Sequence, residues 1–207
     1  LNEFVVNSLP KESAFTTQLA TTNYTIGMQQ VEKLGVQSIK NLSAHIPNYY
    51  LPDYGSKITS SMYIRGIGSR MNEPAIGMYV DNVPYIHRSA FDIMLHDIQQ
   101  FQFLQGPQGT LYGRNTIGGL MNIYTISPLV YQGTRLNVSY AKYNDANVSV
   151  SHYQKLNDSL GVSISGYVQH QDGHFTNMGR MEKNKSDEFG IRGKLEWKMK
   201  NNWQSMF

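Results

Sequence analysis

The chain has 207 residues, enough for one large domain or two small ones, and carries only 16% charged residues with a formal net charge of +3. With 14 tyrosines and 18 glycines it is too aromatic and too weakly charged for a disordered chain, and its scattered cations lack the dense basic footprint of a nucleic-acid binder. Cysteine is absent, which excludes disulfides, thiolate metal sites and cysteine catalysis.

The opening "LNEFVVNSLPKES" has neither a basic start nor a long apolar core, so it does not read as a signal peptide. It holds a short β-like run, "EFVV", broken by Pro10. From Ile26 to Ile46 the apolar residues recur at three- and four-residue steps, which predicts two short helices split near Gly35 and ended by Pro47. Strand-like pieces follow: "SMYIRG", "AIGMYVDNVPYI" with a turn at Asp81-Asn82, "QQFQFLQG" and "LMNIYTI". No βαβ repeat orders them, so a small mixed α+β domain is expected.

From residue 134 the pattern changes. "TRLNVSYAKY", "NVSVSHY", "SLGVSISGYVQH" and "FGIRGKLEW" alternate apolar and polar residues with period two, the mark of strands with two unlike faces. A water-soluble β-sandwich and a transmembrane β-barrel both produce this alternation. The barrel needs strands of roughly 9 to 11 residues, joined alternately by short turns and long loops, with aromatics near the strand ends. The connections "NDA", "LND", "QDGHFTNMGRMEKNKSD" and "KNN", with Tyr143, Tyr153, Trp197 and Trp203 close to strand ends, favour the barrel. The chain stops inside a further strand at "NNWQSMF", so it is expected to be a fragment.

The stretch "GPQGTLYGRNTIGGLMNIYT" places five glycines and one arginine in residues 106–125. A phosphate-binding P-loop needs wider glycine spacing, a lysine followed by Ser or Thr, and a helix after the loop. Here Arg114 follows Gly113 and a strand-like run follows Gly118-Gly119, so the glycines are read as serving turns and close backbone approach. His170 and His174 lack a third ligand and are not read as a metal site. No nucleophile–base constellation is present, so no catalytic residue, enzyme activity or cofactor is expected.

The segments "SIKNLSAHIPN", "YIRGIGS", "AIGMYVDNVPY" and "FDIMLHDIQQFQFLQGPQGTLYGRNTIGGLMNIYT" resemble, in order and spacing, the plug domain of TonB-dependent outer-membrane receptors. The likeness covers nearly all of residues 1–128 and is most specific from Gly106 to Thr125. Residues 134 onward are similar to the family's first barrel strands. The resemblance implies an α+β plug domain over residues 1–128, followed over 129–207 by antiparallel strands of an incomplete transmembrane β-barrel. In the family that barrel has about 22 strands. "GPQGTLYGRN" is similar to the siderophore and cobalamin branch rather than to the starch-utilisation branch.

The same resemblance implies a receptor in the Gram-negative outer membrane, its plug inside the barrel lumen, that imports a scarce nutrient such as a metal chelate, vitamin or oligosaccharide. Its implied partners are TonB with the inner-membrane energising complex, a small-molecule nutrient ligand and outer-membrane lipid, with no nucleic acid. A receptor acting mainly in signalling and a passive outer-membrane barrel are the alternatives.

Leu1, Asn2, Glu3, Phe4, Val5 and Val6 stand where the resemblance puts the TonB contact, an extended segment that adds a strand to TonB's sheet. They read equally well as an ordinary first strand. Arg65 in "IRG" and Arg114 in "YGR" match plug positions that pair with barrel carboxylates, a task that suits guanidinium. Where the family commonly has "IEVLRGP" this chain has "FQFLQGP", so Gln102 and Gln105 replace the usual acid and base. The plug–barrel contacts are then expected to lean on Arg65, Arg114 or hydrogen bonds. Tyr49, Tyr50 and Tyr54 in "IPNYYLPDYGSK", with Arg70 and Asn72 in "IGSRMNEP", are the expected substrate contacts, tyrosine offering flat apolar area and a hydroxyl.

Overall fold

The computed structural model describes residues 22–36, 38–52, 61–69, 73–91, 93, 96–173, 176–179, 182–198 and 204–206. The chain forms two compact units, Leu1–Thr125 and Ile126–Phe207. In chain order the first contains β1 (Thr22–Gly27), α1 (Met28–Lys33), β2 (Tyr49–Tyr50), β3 (Tyr63–Ile64), β4 (Ile67–Gly68) and β5 (Ile76–Val80). After these come β6 (Val83–Tyr85), β7 (Ile98–Gln105), α2 (Gly109–Tyr112) and β8 (Gly119–Thr125), with 3-10 turns at Ile39–Ala44 and Arg88–Ala90.

One five-stranded sheet, in the order β1-β7-β8-β5-β6, organises this unit. All its pairings are antiparallel except β5 with β8. Alternation along β7 sends Phe101 and Phe103 to one face, where they stand opposite Ile123 and Met121 of β8; all four are 0% exposed. Ile26, Met78 and Val80 extend the same apolar layer to the neighbouring strands. Removing a buried ring of this kind costs about 3–5 kcal/mol. On the other face Leu104, Leu120 and Tyr112 form a second, smaller cluster.

The segment expected to form two helices does so only in part. Thr22–Gly27 is an edge strand, Met28–Lys33 a single helical turn and a half ended by Gly35 at φ 64°, and Ile39–Ala44 a 3-10 turn that buries Ile39 and Leu42. Apolar residues three apart satisfy a 3-10 turn as well as an α-helix. The turn expected at Asp81-Asn82 is present, with φ of 47° and 70° as a two-residue hairpin requires. Asp81 also ties β5 to β8: its amide donates to the Ile123 carbonyl at 2.9 Å, its Oδ1 accepts from the Thr125 amide at 2.9 Å, and its Oδ2 accepts from the Thr125 hydroxyl.

The second unit is a five-stranded antiparallel sheet in the order β15-β14-β11-β10-β9. Its strands are β9 (Gly133–Ala141), β10 (Asp145–Asn157), β11 (Leu160–Gln171), β14 (Ser186–Lys198) and β15 (Gln204–Met206). A small hairpin of β12 (Thr176–Asn177) and β13 (Glu182–Lys183) lies in the long β11–β14 connection. The first four strands run 9, 13, 12 and 13 residues, longer than the five or six usual in a soluble sandwich. The register places Leu136, Val138, Val148, Val150, Ile164, Val168, Phe189, Ile191, Leu195 and Trp197 on one face. All are exposed, Phe189 and Ile191 at 80%. The opposite face carries Arg135, Asn137, Ser149, Ser151, Ser163, Ser165, Arg192 and Lys194.

Replacing Asp81 by alanine leaves the Thr125 amide without its acceptor. We expect a loss of about 1–3 kcal/mol at the β5–β8 junction, read as faster native-state hydrogen exchange of the Thr125 amide. Unchanged exchange there would show that Asp81 does not hold the junction.

Candidate functional site

The glycine stretch closes one end of the β7–β8 pair. Gly106 (φ 116°), Gly113 (φ 77°) and Gly119 (φ 149°) adopt backbone angles that L side chains rarely take. A Cβ on Gly119 would lie 2.5 Å from the Leu104 carbonyl oxygen, so only glycine lets β8 start beside the end of β7. The loop is held internally: Gln108 N–H donates to the Thr116 carbonyl at 2.9 Å, and the Thr116 hydroxyl donates to the Gly113 carbonyl at 2.7 Å. The Gly106 and Gly113 amides likewise donate within the stretch, to the Gly118 and Gly109 carbonyls.

Beside the loop, Arg65 and Gly66 are the two central residues of the β3–β4 hairpin, with φ of 53° and 77°. A non-glycine residue in the left-handed region is uncommon, and a surrounding structure must hold it there. Two bonds do so. The Arg65 amide donates to the Asn48 carbonyl at 2.8 Å, and its Nε donates to Gln105 Oε1 at 3.1 Å. Gln105 in turn donates from Nε2 to the Pro47 carbonyl at 3.0 Å. Gln105 is therefore a bridge that aims the Arg65 guanidinium while adding no charge of its own.

Gln102, on the opposite face of β7 and 1% exposed, accepts from Asn122 Nδ2 and from the Tyr124 hydroxyl, each at 3.4 Å. Burial, and secondarily Tyr112 and Asp81, pushes the Tyr124 phenol well above its ordinary range. Arg114 is exposed and has no hydrogen-bond or ion-pair partner among the described residues. It borders a cleft of about 200 Å³ shared with Tyr79, Tyr85 and Tyr112. Among the described residues no three His, Asp or Glu side chains form a metal site. His170 lies instead between Asp187 at 2.5 Å and Asp172 at 3.3 Å.

The family model for the TonB-dependent receptor plug domain matches residues 16–120. The chain belongs to that family. The chain is 30% identical over 128 residues to the pesticin receptor of Yersinia enterocolitica and 29% identical over 126 residues to that of Yersinia pestis. These alignments cover 61% and 60% of this chain and 19% of each relative, so the chain spans about a fifth of the length of the curated relatives it matches. Among solved structures, the ferric yersiniabactin uptake receptor of Yersinia pestis superposes with a TM-score of 0.73 at 24% identity, over 85% of this chain and 28% of that one. The ferric-catecholate import receptor of E. coli K12 gives 0.73 at 16% identity, over 93% and 27%. Those superpositions extend beyond the plug, and the strands of residues 133–198 share the fold of a receptor's partial, unclosed barrel.

The expected site residues fall into three groups. Arg65 and Arg114 are exposed on the plug, and Arg65 is aimed by Gln105. Tyr49 is 4% exposed, its ring 5.3 Å from that of Phe103 and its hydroxyl 3.4 Å from the Ile39 carbonyl; it is a core side chain, while Tyr50 beside it is 58% exposed. Leu1, Asn2, Glu3, Phe4, Val5, Val6, Tyr54, Arg70 and Asn72 lie outside the described residues, as does His174. The bridging role of Gln105 was signalled only by its departure from the family's arginine.

Two outcomes test this geometry. Gln105→Leu should free Arg65 from its bridge and cost about 1–2 kcal/mol, seen as faster hydrogen exchange at the Arg65 amide, with Gln105→Glu restoring protection. Equal exchange in all three forms would contradict the bridge. For Tyr124, a raised phenol value means that the folded plug keeps a proton that the unfolded chain releases above its ordinary 10.0. The stability this contributes is intact below that pH and is lost as pH rises from there through the folded value. Tyr124→Phe should therefore flatten the alkaline fall of the unfolding midpoint; an equally steep fall would assign it to other groups.

Proposed function

We propose that this chain is the plug and first wall strands of an outer-membrane receptor that imports a scarce nutrient using force transmitted by TonB. The observation that carries the reading is the presence in one chain of a family-matched plug and of long strands whose apolar side chains, among the described residues, are exposed on one face. Lipid is the solvent that such a face requires, and the polar face then lines a lumen. A passive pore has no use for the plug, which accounts for residues 22–125.

Within this reading the small-molecule ligand is a metal chelate. The relatives named for ferric yersiniabactin and ferric catecholates support that class. Tyr50, Tyr54, Arg70 and Asn72 contact it, and Arg65 and Arg114 pair with carboxylates of the wall. A guanidinium aimed by a neutral glutamine holds such a pair without a second cation to repel it. Leu1–Val6 is the segment that adds to TonB's sheet, where backbone pairing tolerates varied side chains.

The full-length receptor should fractionate with the outer membrane and take up ferric chelate only in cells that contain TonB. Deleting residues 1–7 should abolish uptake while leaving ferric-chelate binding within about twofold. Uptake that persists after the deletion would place the TonB contact elsewhere, and uptake that persists without TonB would overturn the importer reading.

A further inference from the structure

The turn from Ile126 to Tyr131, which leads into β9, is bound to three other strands. Its backbone is closed on itself: the Val130 and Tyr131 amides donate to the Ser127 carbonyl at 3.2 and 2.9 Å, and the Leu129 amide to Ser127 Oγ at 3.3 Å. The Ser127 hydroxyl then donates to Glu196 Oε2 of β14 at 2.7 Å. The backbone at Pro128 and Leu129 covers Gly161 of β11, where a Cβ would lie 3.0 Å from the Pro128 carbonyl carbon and 3.1 Å from the Leu129 nitrogen. The Tyr131 ring stands edge-on to Tyr153 of β10, centroids 5.3 Å apart at 84°.

Both wall side chains are deeply set, Glu196 and Tyr153 each 2% exposed. A carboxylate that far from water is retained only where hydrogen bonds hold it. A connection between elements is ordinarily exposed and tolerant of change. This one has a buried acid, a glycine that makes room for its backbone, and an aromatic contact, each on a different strand.

We propose that the Ile126–Tyr131 turn is a mechanical anchor. It distributes tension arriving through the plug over β10, β11 and β14 instead of delivering it to the end of β9. The proposal rests on the importer reading for the origin of the force, and Glu196 is its positioning residue. A pull on β9 alone would break its ladder one bond at a time from the Gly133 end. In the anchor the three contacts bear the load as one unit, so that losing any one of them releases the turn.

The test is single-molecule extension of the full-length receptor in a lipid bilayer, pulled from its N-terminus, which needs neither TonB nor ligand. In the wild type the plug should extend and then stop at Ile126. Glu196→Leu and Gly161→Val should each move that stop outward by about 2 nm, the extended length of the freed turn at roughly 3.5 Å per residue. Glu196→Gln keeps an acceptor for Ser127 and should retain the wild-type stop. The proposal is overturned if the wild type already extends past Gly133, if neither disrupting variant moves the stop, or if Glu196→Gln moves it as far as Glu196→Leu. A stop at Ile126 in a receptor whose uptake is indifferent to TonB would leave the anchor standing and remove the importer reading.

Discussion

A β-strand cannot turn one face away from its neighbour's environment without turning the other toward it. In residues 133–198 that constraint decides the architecture. The register fixes which side chains share a face, and the face with Leu136, Val138, Phe189 and Ile191 is open over four strands. A soluble protein does not tolerate a contiguous apolar surface of that extent. Hydrocarbon removes the penalty, and once lipid lies on one side the serines, asparagines and arginines of the other side must face a polar lumen.

The plug is organised by a different requirement, the burial of its own apolar core. The β7–β8 pair lies within that core, with Phe101, Phe103, Met121 and Ile123 fully buried. Arg65 is held at a hairpin tip by a glutamine, and Arg114 is exposed. Replacing the family's usual acid and base by Gln102 and Gln105 leaves hydrogen bonds where charges would stand. Neutral hydrogen bonds contribute less than buried ion pairs cost when one partner moves away.

Much of this was legible in the sequence, and the limits are physical. Period-two alternation is imposed by backbone geometry, so the long strands could be read residue by residue. The glycine stretch was legible because a missing lysine and a following strand exclude a phosphate loop. Residues 26–46, expected as two helices, hold one short helix, Met28–Lys33, and a 3-10 turn, Ile39–Ala44, because apolar steps of three serve a 3-10 turn as well as an α-helix. Tyr49 and Tyr50 looked alike in sequence, yet adjacent strand residues point to opposite faces, and one is core while the other is exposed. Pairings across long separations left no local trace. Arg65 meets Gln105 across 40 positions and Ser127 meets Glu196 across 69.

The central claim is that the apolar face of these strands meets lipid and the polar face meets water. It is tested most directly by nitroxide labels placed one at a time at positions 188 to 195 of the full-length receptor in bilayer vesicles. Accessibility to oxygen should peak at Phe189, Ile191, Gly193 and Leu195, and accessibility to a water-soluble nickel chelate at Glu188, Gly190, Arg192 and Lys194. A profile without period two, or with the two sets exchanged, would contradict the account.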